Sequence, residues 1–129
     1  MSKTFLIIAA ALGALSVTLG AFAAHGLKKI VPAETVATFE TGVRYQFYHT
    51  FALLITALLL QKMQSGSLVW AGYCFIAGIV LFSGSLYALT ALKATETVGL
   101  NGVGIITPFG GLFFVAGWLL MLVGIIKNY

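Results

Sequence analysis

Four long apolar runs, each closed by a charge or a turn former, organise this chain. The first extends from about Thr4 to Ala24 without a charged residue, with Lys3 before it and His25-Gly26 after it. A polar stretch carrying Lys28, Lys29, Pro32 and Glu34 follows. Near Pro32 a long helical segment begins, because proline suits a first helical turn and Glu34 complements the helix dipole there. Val36, Phe39, Val43 and Phe47 recur at spacings of three and four, so the start of this segment is amphipathic and is expected to lie in the membrane interface or tilt out of it. It continues without a breaker into an apolar run that ends at Gln61-Lys62. Met63 to Ser67 reads as a tight turn. The third run covers about Leu68 to Leu92 and stops at Lys93, and a polar loop with Thr95, Glu96, Thr97 and Asn101 follows. The fourth covers about Gly104 to Ile126, with Pro108 expected to kink or locally open its first turns.

A helix needs about 20 apolar residues to cross about 30 Å of hydrocarbon. The runs therefore predict spans at about 4–24, 45–62, 68–92 and 104–126, within one domain covering 1–129. The expected fold is all-α: an integral membrane four-helix bundle with an amphipathic extension at the start of the second helix. A strand barrel is excluded, because no run alternates apolar with polar positions. Composition agrees: 60% of the 129 residues are hydrophobic and 8% are charged, against about 25% charged in a soluble domain. Lys3, the first apolar run and Ala21-Phe22-Ala23 partly match a cleavable signal peptide, but the run is long for a signal core, which argues for retention.

The net charge of +4 does not indicate nucleic acid. Lysines and arginine sit at the ends of the runs, where they meet lipid phosphates and water, and there is no basic stripe. The lone Cys74 lies inside an apolar run, so no intrachain disulfide forms. Lys3, Lys62 and Lys127 mark one side of the membrane, and Lys28, Lys29, Lys93 and Arg44 the other, nearly a tie. The short tail with Lys3 ahead of the first helix to insert points to cytoplasmic termini.

Small residues recur on the helices. Gly110, Gly117 and Gly124 fall every seven residues on the fourth span; Ala71, Gly78 and Ser85 do so on the third, with Ala77, Gly84 and Ala91 alongside; Ser16, Gly20 and Ala24 are four apart on the first. Such faces let membrane helices approach closely. They predict helix packing at Gly78, Gly84, Gly110, Gly117 and Gly124, within the chain or between copies.

With four spans, the first and third loops share one pole. His25, Glu34, Glu40, Arg44, His49, Lys93, Glu96 and Asn101 all map towards it, so any site is expected there, near the interface and not at mid-membrane. The densest group is on the second helix, and His25, Glu40, Arg44, Tyr45, Tyr48 and His49 form the candidate polar cluster. Glu40 and Arg44 are four apart in the favourable order for pairing. They read either as an ion pair anchoring the helix or as part of a ligand site. His49 reads either as a histidine hydrogen-bonded to a tyrosine or to backbone, or as a ligand or proton handler. His25 fits a helix end, where the dipole favours it. Two histidines give too few ligands for a metal or haem, and the chain has no Asp, so no Ser/His/Asp set exists. No cofactor or metal is expected.

Four local strings carry a family resemblance. They are Gly20-Ala21-Phe22-Ala23-Ala24-His25-Gly26-Leu27; Phe39 through His49; Ser83-Gly84-Ser85-Leu86-Tyr87; and Thr107-Pro108-Phe109-Gly110-Gly111 with Gly117-Trp118. In this order they resemble the motifs of the bacterial YwdK/YgdD-like membrane proteins, a family of unknown function with a eukaryotic transmembrane relative. Ala23 departs from the family's usual glycine, small for small. The resemblance covers nearly the whole chain and implies a four-span protein of the bacterial inner (plasma) membrane, without supplying an activity.

Size, small-residue faces and the absence of a catalytic set point to a non-enzymatic accessory subunit or assembly factor. Its partners would be the bilayer, other membrane proteins or further copies of itself. The competing expectation is a binding or transport module for a small lipophile, ion or proton, using the His/Tyr/Arg/Glu cluster.

Overall fold

The computed structural model describes residues 1–96 and 102–129, so Thr97 and Asn101 of the third loop lie outside the described residues. Four helices long and apolar enough to cross a membrane are present, and no strand occurs among the described residues. They are α1 (Ser2–Ala24), α2 (Ala33–Lys62), α3 (Gly66–Ala94) and α4 (Val103–Asn128). They enclose all four predicted spans, and the protein is a multi-pass membrane protein. α3 contains a π-helical turn at Ile79–Ser83. α4 continues through Pro108 as helix.

α2 is one unbroken helix of 30 residues. At about 1.5 Å per residue it is about 45 Å long and outreaches the hydrocarbon core. Its extension is amphipathic as predicted: Val36, Phe39 and Val43 are buried while Glu34, Glu40 and Arg44 are exposed. The buried face does not rest on lipid. It packs against Ala23 at the end of α1, Leu27 of the 3₁₀ turn Leu27–Lys29 and Val31 just beyond that turn, so the first loop folds back as a cover.

α1 packs along α2, α3 packs along α4, and α2 joins the two pairs. Phe5 of α1 also reaches α3, where Gly72 leaves room for its ring; a Cβ on Gly72 would overlap Phe5.

The α3–α4 contact follows a simple rule. Leu68, Phe75 and Phe82 recur every seven residues on α3 and lie against Gly124, Gly117 and Gly110 of the antiparallel α4. A Cβ on Gly124 would fall 2.9 Å from Leu68, one on Gly117 would fall 2.6 Å from Phe75, and one on Gly110 would overlap the backbone nitrogen of Phe82. Between these pairs the order reverses: Gly78 of α3 receives Phe114 of α4. Ala71 and Met121 share a buried cluster between Leu68 and Phe75, and the hydroxyls of Ser85 and Thr107 bond to each other beyond Phe82. From Leu68 to Phe82, large side chains thus face small ones. This is the interdigitation by which helices associate when surrounding lipid is as apolar as they are.

Four of the five predicted packing glycines make such contacts. Gly84 does not: a Cβ there would meet nothing within 4 Å. It lies off the stripe that faces α4, so no neighbouring helix needs the space.

Candidate functional site

His49 sits near the midpoint of α2, and its side chain is buried. Its Nδ1 lies 2.7 Å from the Tyr45 carbonyl oxygen, one turn earlier. The indole nitrogen of Trp118 on α4 lies 3.1 Å from His49 Nε2. A carbonyl only accepts and an indole only donates. The proton of His49 is therefore on Nδ1, Nε2 offers its lone pair to Trp118, and the ring is neutral with both nitrogens engaged. Its face stacks on Phe114 of α4, with ring centroids 3.5 Å apart and planes 8° from parallel. Phe75 and Trp118 pack against it from the side.

This ring forms one wall of a groove of about 430 Å³ that opens sideways from the bundle. α2 contributes Tyr45, Tyr48 and His49, and α3 contributes Phe82 at the π turn. Gly111, Phe114, Val115 and Trp118 of α4 complete it. The groove lies at mid-height on α2, α3 and α4 and holds no charged side chain. Neither the Tyr45 nor the Tyr48 hydroxyl has a hydrogen-bond partner among the described residues, although both side chains line the groove. Gly110 and Gly111 differ sharply. The first is jammed against Phe82, while a Cβ on the second would meet only the Phe82 ring edge at 4.0 Å.

Behind the groove, Gln46 ties three helices together. Its Nε2 donates to the Leu12 carbonyl of α1 at 3.2 Å, and its Oε1 accepts from the Tyr87 hydroxyl of α3 at 2.7 Å. Ser16 donates to the same Leu12 carbonyl at 2.7 Å. One turn before Gln46, Ser83 of the π turn donates to the Gly42 carbonyl at 2.6 Å. Gly42 is glycine for a reason: a Cβ there would lie 2.9 Å from Tyr87 and 3.4 Å from the Ser83 carbonyl.

The predicted cluster divides. Tyr45, Tyr48 and His49 come together, with Tyr45 lying over His49 at 6.2 Å and edge-on to Tyr48 at 5.5 Å. His25 is exposed at the end of α1 and joins nothing in the groove. Glu40 and Arg44 are exposed, and no ion pair joins them among the described residues. His49 is 16 residues from the start of α2, about 24 Å at 1.5 Å per residue, and its partners Phe75 and Trp118 are also far from the helix ends. Trp118, Phe114 and Phe82 escaped the reading of the polar cluster. Trp118 and His49 are 69 residues apart, and only the shared presence of both in the four motifs hinted at contact.

Those four motifs meet in space. Gly42, Gln46 and His49 of the second touch Ser83 and Tyr87 of the third and Trp118 of the fourth, and Val43 lies against Gly20 of the first. A family model described as "Protein of unknown function (DUF423)" matches residues 19–111. The chain belongs to the DUF423 family. Its relatives include the UPF0382 membrane protein YwdK of Bacillus subtilis, 40% identical over 126 residues, covering 97% of this chain and 98% of that protein. The UPF0382 inner membrane protein YgdD of Escherichia coli K12 is 43% identical over 128 residues, covering 98% of this chain and 92% of that protein. A UPF0382 membrane protein of Staphylococcus haemolyticus is 39% identical, covering 97% of each. No solved structure matches this DUF423 chain.

Proposed function

We propose that this DUF423 protein is a non-enzymatic accessory component of the membrane that works by holding a small lipophile in its lateral groove. The observation that carries this reading is the groove itself: a space of about 430 Å³, walled by aromatic rings at mid-height and kept open by Gly111. That volume lies within the range of about 300–1,000 Å³ common to small-molecule pockets. The opening faces hydrocarbon, so the occupant arrives from the bilayer and not from water. Proton or ion handling finds less support, because both His49 nitrogens are engaged and no charged group lines the space. An assembly role fits the same groove when the accessory protein presents its lipophile to a larger complex.

The test compares the wild type with Gly111→Leu, whose added side chain enters the groove without displacing the neighbouring helix. Both proteins are purified in mild detergent and extracted, and the bound lipophiles are measured by mass spectrometry. A species near one per chain in the wild type and lost in Gly111→Leu is the expected result. Identical extracts from two equally folded proteins would overturn the proposal.

A further inference from the structure

A second cleft, of about 340 Å³, lies at the pole where the first loop folds over the bundle, between the first two turns of α2 and the last two turns of α3. α2 lines it with Glu34, Thr35 and Thr38. Residues three and four apart are neighbours on a helix surface, so one side of α2 presents all three. α3 lines it with Leu89, Thr90 and Lys93, the last two again three apart. None of these residues belongs to the lateral groove.

The charges set the level of this cleft in the membrane. Glu34 and Lys93 are exposed, as are Lys28, Lys29 and Glu40 at the same pole. Exposed charges at the ends of spanning helices sit among headgroups and water, not in hydrocarbon.

The hydrogen-bonding groups of the cleft sort by role. The Thr38 hydroxyl donates to the Glu34 carbonyl at 3.2 Å, and the Thr90 hydroxyl donates to the Leu86 carbonyl at 2.9 Å. Each has thereby used its one proton and keeps lone pairs to offer. With the Glu34 carboxylate they make three acceptor groups. Lys93 supplies donors and a positive charge. Thr35 is the remaining group: its side chain is 5% exposed, and its hydroxyl has no hydrogen-bond partner among the described residues. A buried hydroxyl without a partner costs stability, so a ligand that bonds it recovers that loss. No ion pair joins Glu34 to Lys93 among the described residues, so the cleft holds one charge of each sign, neither neutralised by the other.

The complement of this arrangement is a cation with several N–H donors joined by a short linker to an anion rich in acceptor oxygens. A primary ammonium next to a phosphate has both properties. A quaternary ammonium matches the charge but has no N–H to give to Glu34, Thr38 and Thr90. A headgroup without an amine leaves Glu34 facing phosphate oxygens. Leu89, half-buried, gives the cleft an apolar flank suited to a ligand that continues into hydrocarbon. We propose that the cleft binds the headgroup of a phospholipid carrying a primary amine, such as phosphatidylethanolamine, with Glu34, Thr38 and Thr90 accepting from the ammonium and Lys93 and Thr35 donating to the phosphate. This site is separate from the lateral groove and goes beyond the lipophile-holding reading.

The test titrates the delipidated full chain, in mild detergent, with phosphatidylethanolamine, phosphatidylcholine and phosphatidylglycerol of identical acyl chains. Native mass spectrometry counts the lipids on each chain. One saturable phosphatidylethanolamine per chain is expected, bound about tenfold more tightly than phosphatidylcholine, the difference expected for hydrogen bonds to a charged group. Glu34→Gln brings phosphatidylethanolamine down to the affinity of phosphatidylcholine. Lys93→Gln weakens both lipids by the same factor, because both carry the phosphate. Lys62→Gln, at the other end of α2, changes neither. Glu34 and Lys93 are exposed, so both substitutions leave the core intact. Equal affinity of the wild type for the three lipids overturns the proposal. So does an ethanolamine preference that survives Glu34→Gln, or a loss in Lys62→Gln equal to that in Lys93→Gln. Displacement by soluble phosphoethanolamine at concentrations equal to the lipid overturns the lipid as source. Gly111→Leu is expected to leave the titration unchanged; loss of the bound phospholipid in that variant would place it in the lateral groove and overturn this site, while the groove reading would stand.

Discussion

The indole N–H of Trp118 on α4 and Nε2 of His49 on α2 form a hydrogen bond of 3.1 Å between helices whose residues are 69 positions apart. Hydrocarbon surrounds this pair, so it fixes the azimuth of both helices around the groove. It also fixes the tautomer of the imidazole, since only the neutral Nδ1–H form serves Tyr45 and Trp118 together.

The strength of that bond is measurable. Interhelical hydrogen bonds in membrane proteins average about 0.6 kcal/mol and reach about 1.7. A double-mutant cycle with Trp118→Phe and His49→Phe, read by unfolding in mixed micelles, is expected to give a coupling of about 1 kcal/mol. A coupling indistinguishable from zero would show the contact to be incidental.

Neighbouring glycines are expected to respond in opposite ways. Gly110→Ala drives a methyl into the backbone of Phe82, which has no flexible end to move aside. Such overpacking costs about 1–3 kcal/mol. Gly84→Ala meets open space and Gly111→Ala only an ordinary contact with the Phe82 ring at 4.0 Å, and both are expected to change stability by less than about 0.5 kcal/mol. Thermal unfolding of the three purified variants in one detergent decides the matter.

Gln46 supports three helices at once, so Gln46→Leu is expected to cost more than the loss of either partner alone. It strands the Tyr87 hydroxyl, which then lacks its acceptor, and removes a bond to Leu12. A stranded buried group costs about 1–3 kcal/mol. Tyr87→Phe leaves only Gln46 Oε1 unpaired and is expected to cost less. Denaturant titration of both variants orders them.

Glu40 and Arg44 present the reverse case. Both are exposed and unpaired with each other. Glu40→Gln and Arg44→Gln are expected to shift stability by less than about 0.5 kcal/mol, with no change between low and high salt. A salt-dependent loss in either variant would reveal an ion pair in the membrane-bound protein.

The architecture was readable because lipid imposes one length and one composition on every spanning helix, and the four runs met both. The glycine spacing on α4 was readable too, since an antiparallel neighbour leaves its period in the residues it presses against. Gly84 shows where that logic stops. It matches Gly78 in type, but whether a helix lies opposite is decided by the face that α3 turns to α4. The site was half legible. Tyr45, Tyr48 and His49 were singled out, yet their separation from Glu40 and Arg44 was not. Polar residues from Glu40 to His49 read as one interfacial stretch, although the unbroken α2 carries the first of them outward and the last inward. Glu40 and Arg44 had the right spacing for a pair, but exposed charges gain little from pairing. Trp118 and Phe82 carry no chemistry that marks them in advance; they matter through what the fold sets beside them.

The alternation of bulk along α3 and α4 also bears on how the two helices find their alignment. Three similar teeth, each a large residue over a glycine, would mesh nearly as well after a slip of one heptad, about 10 Å along the axis. The inverted tooth, Phe114 in the notch at Gly78, breaks that degeneracy, and the Ser85–Thr107 latch closes only in the native alignment. Together they act as a vernier, rejecting a sliding error that bulk alone would tolerate.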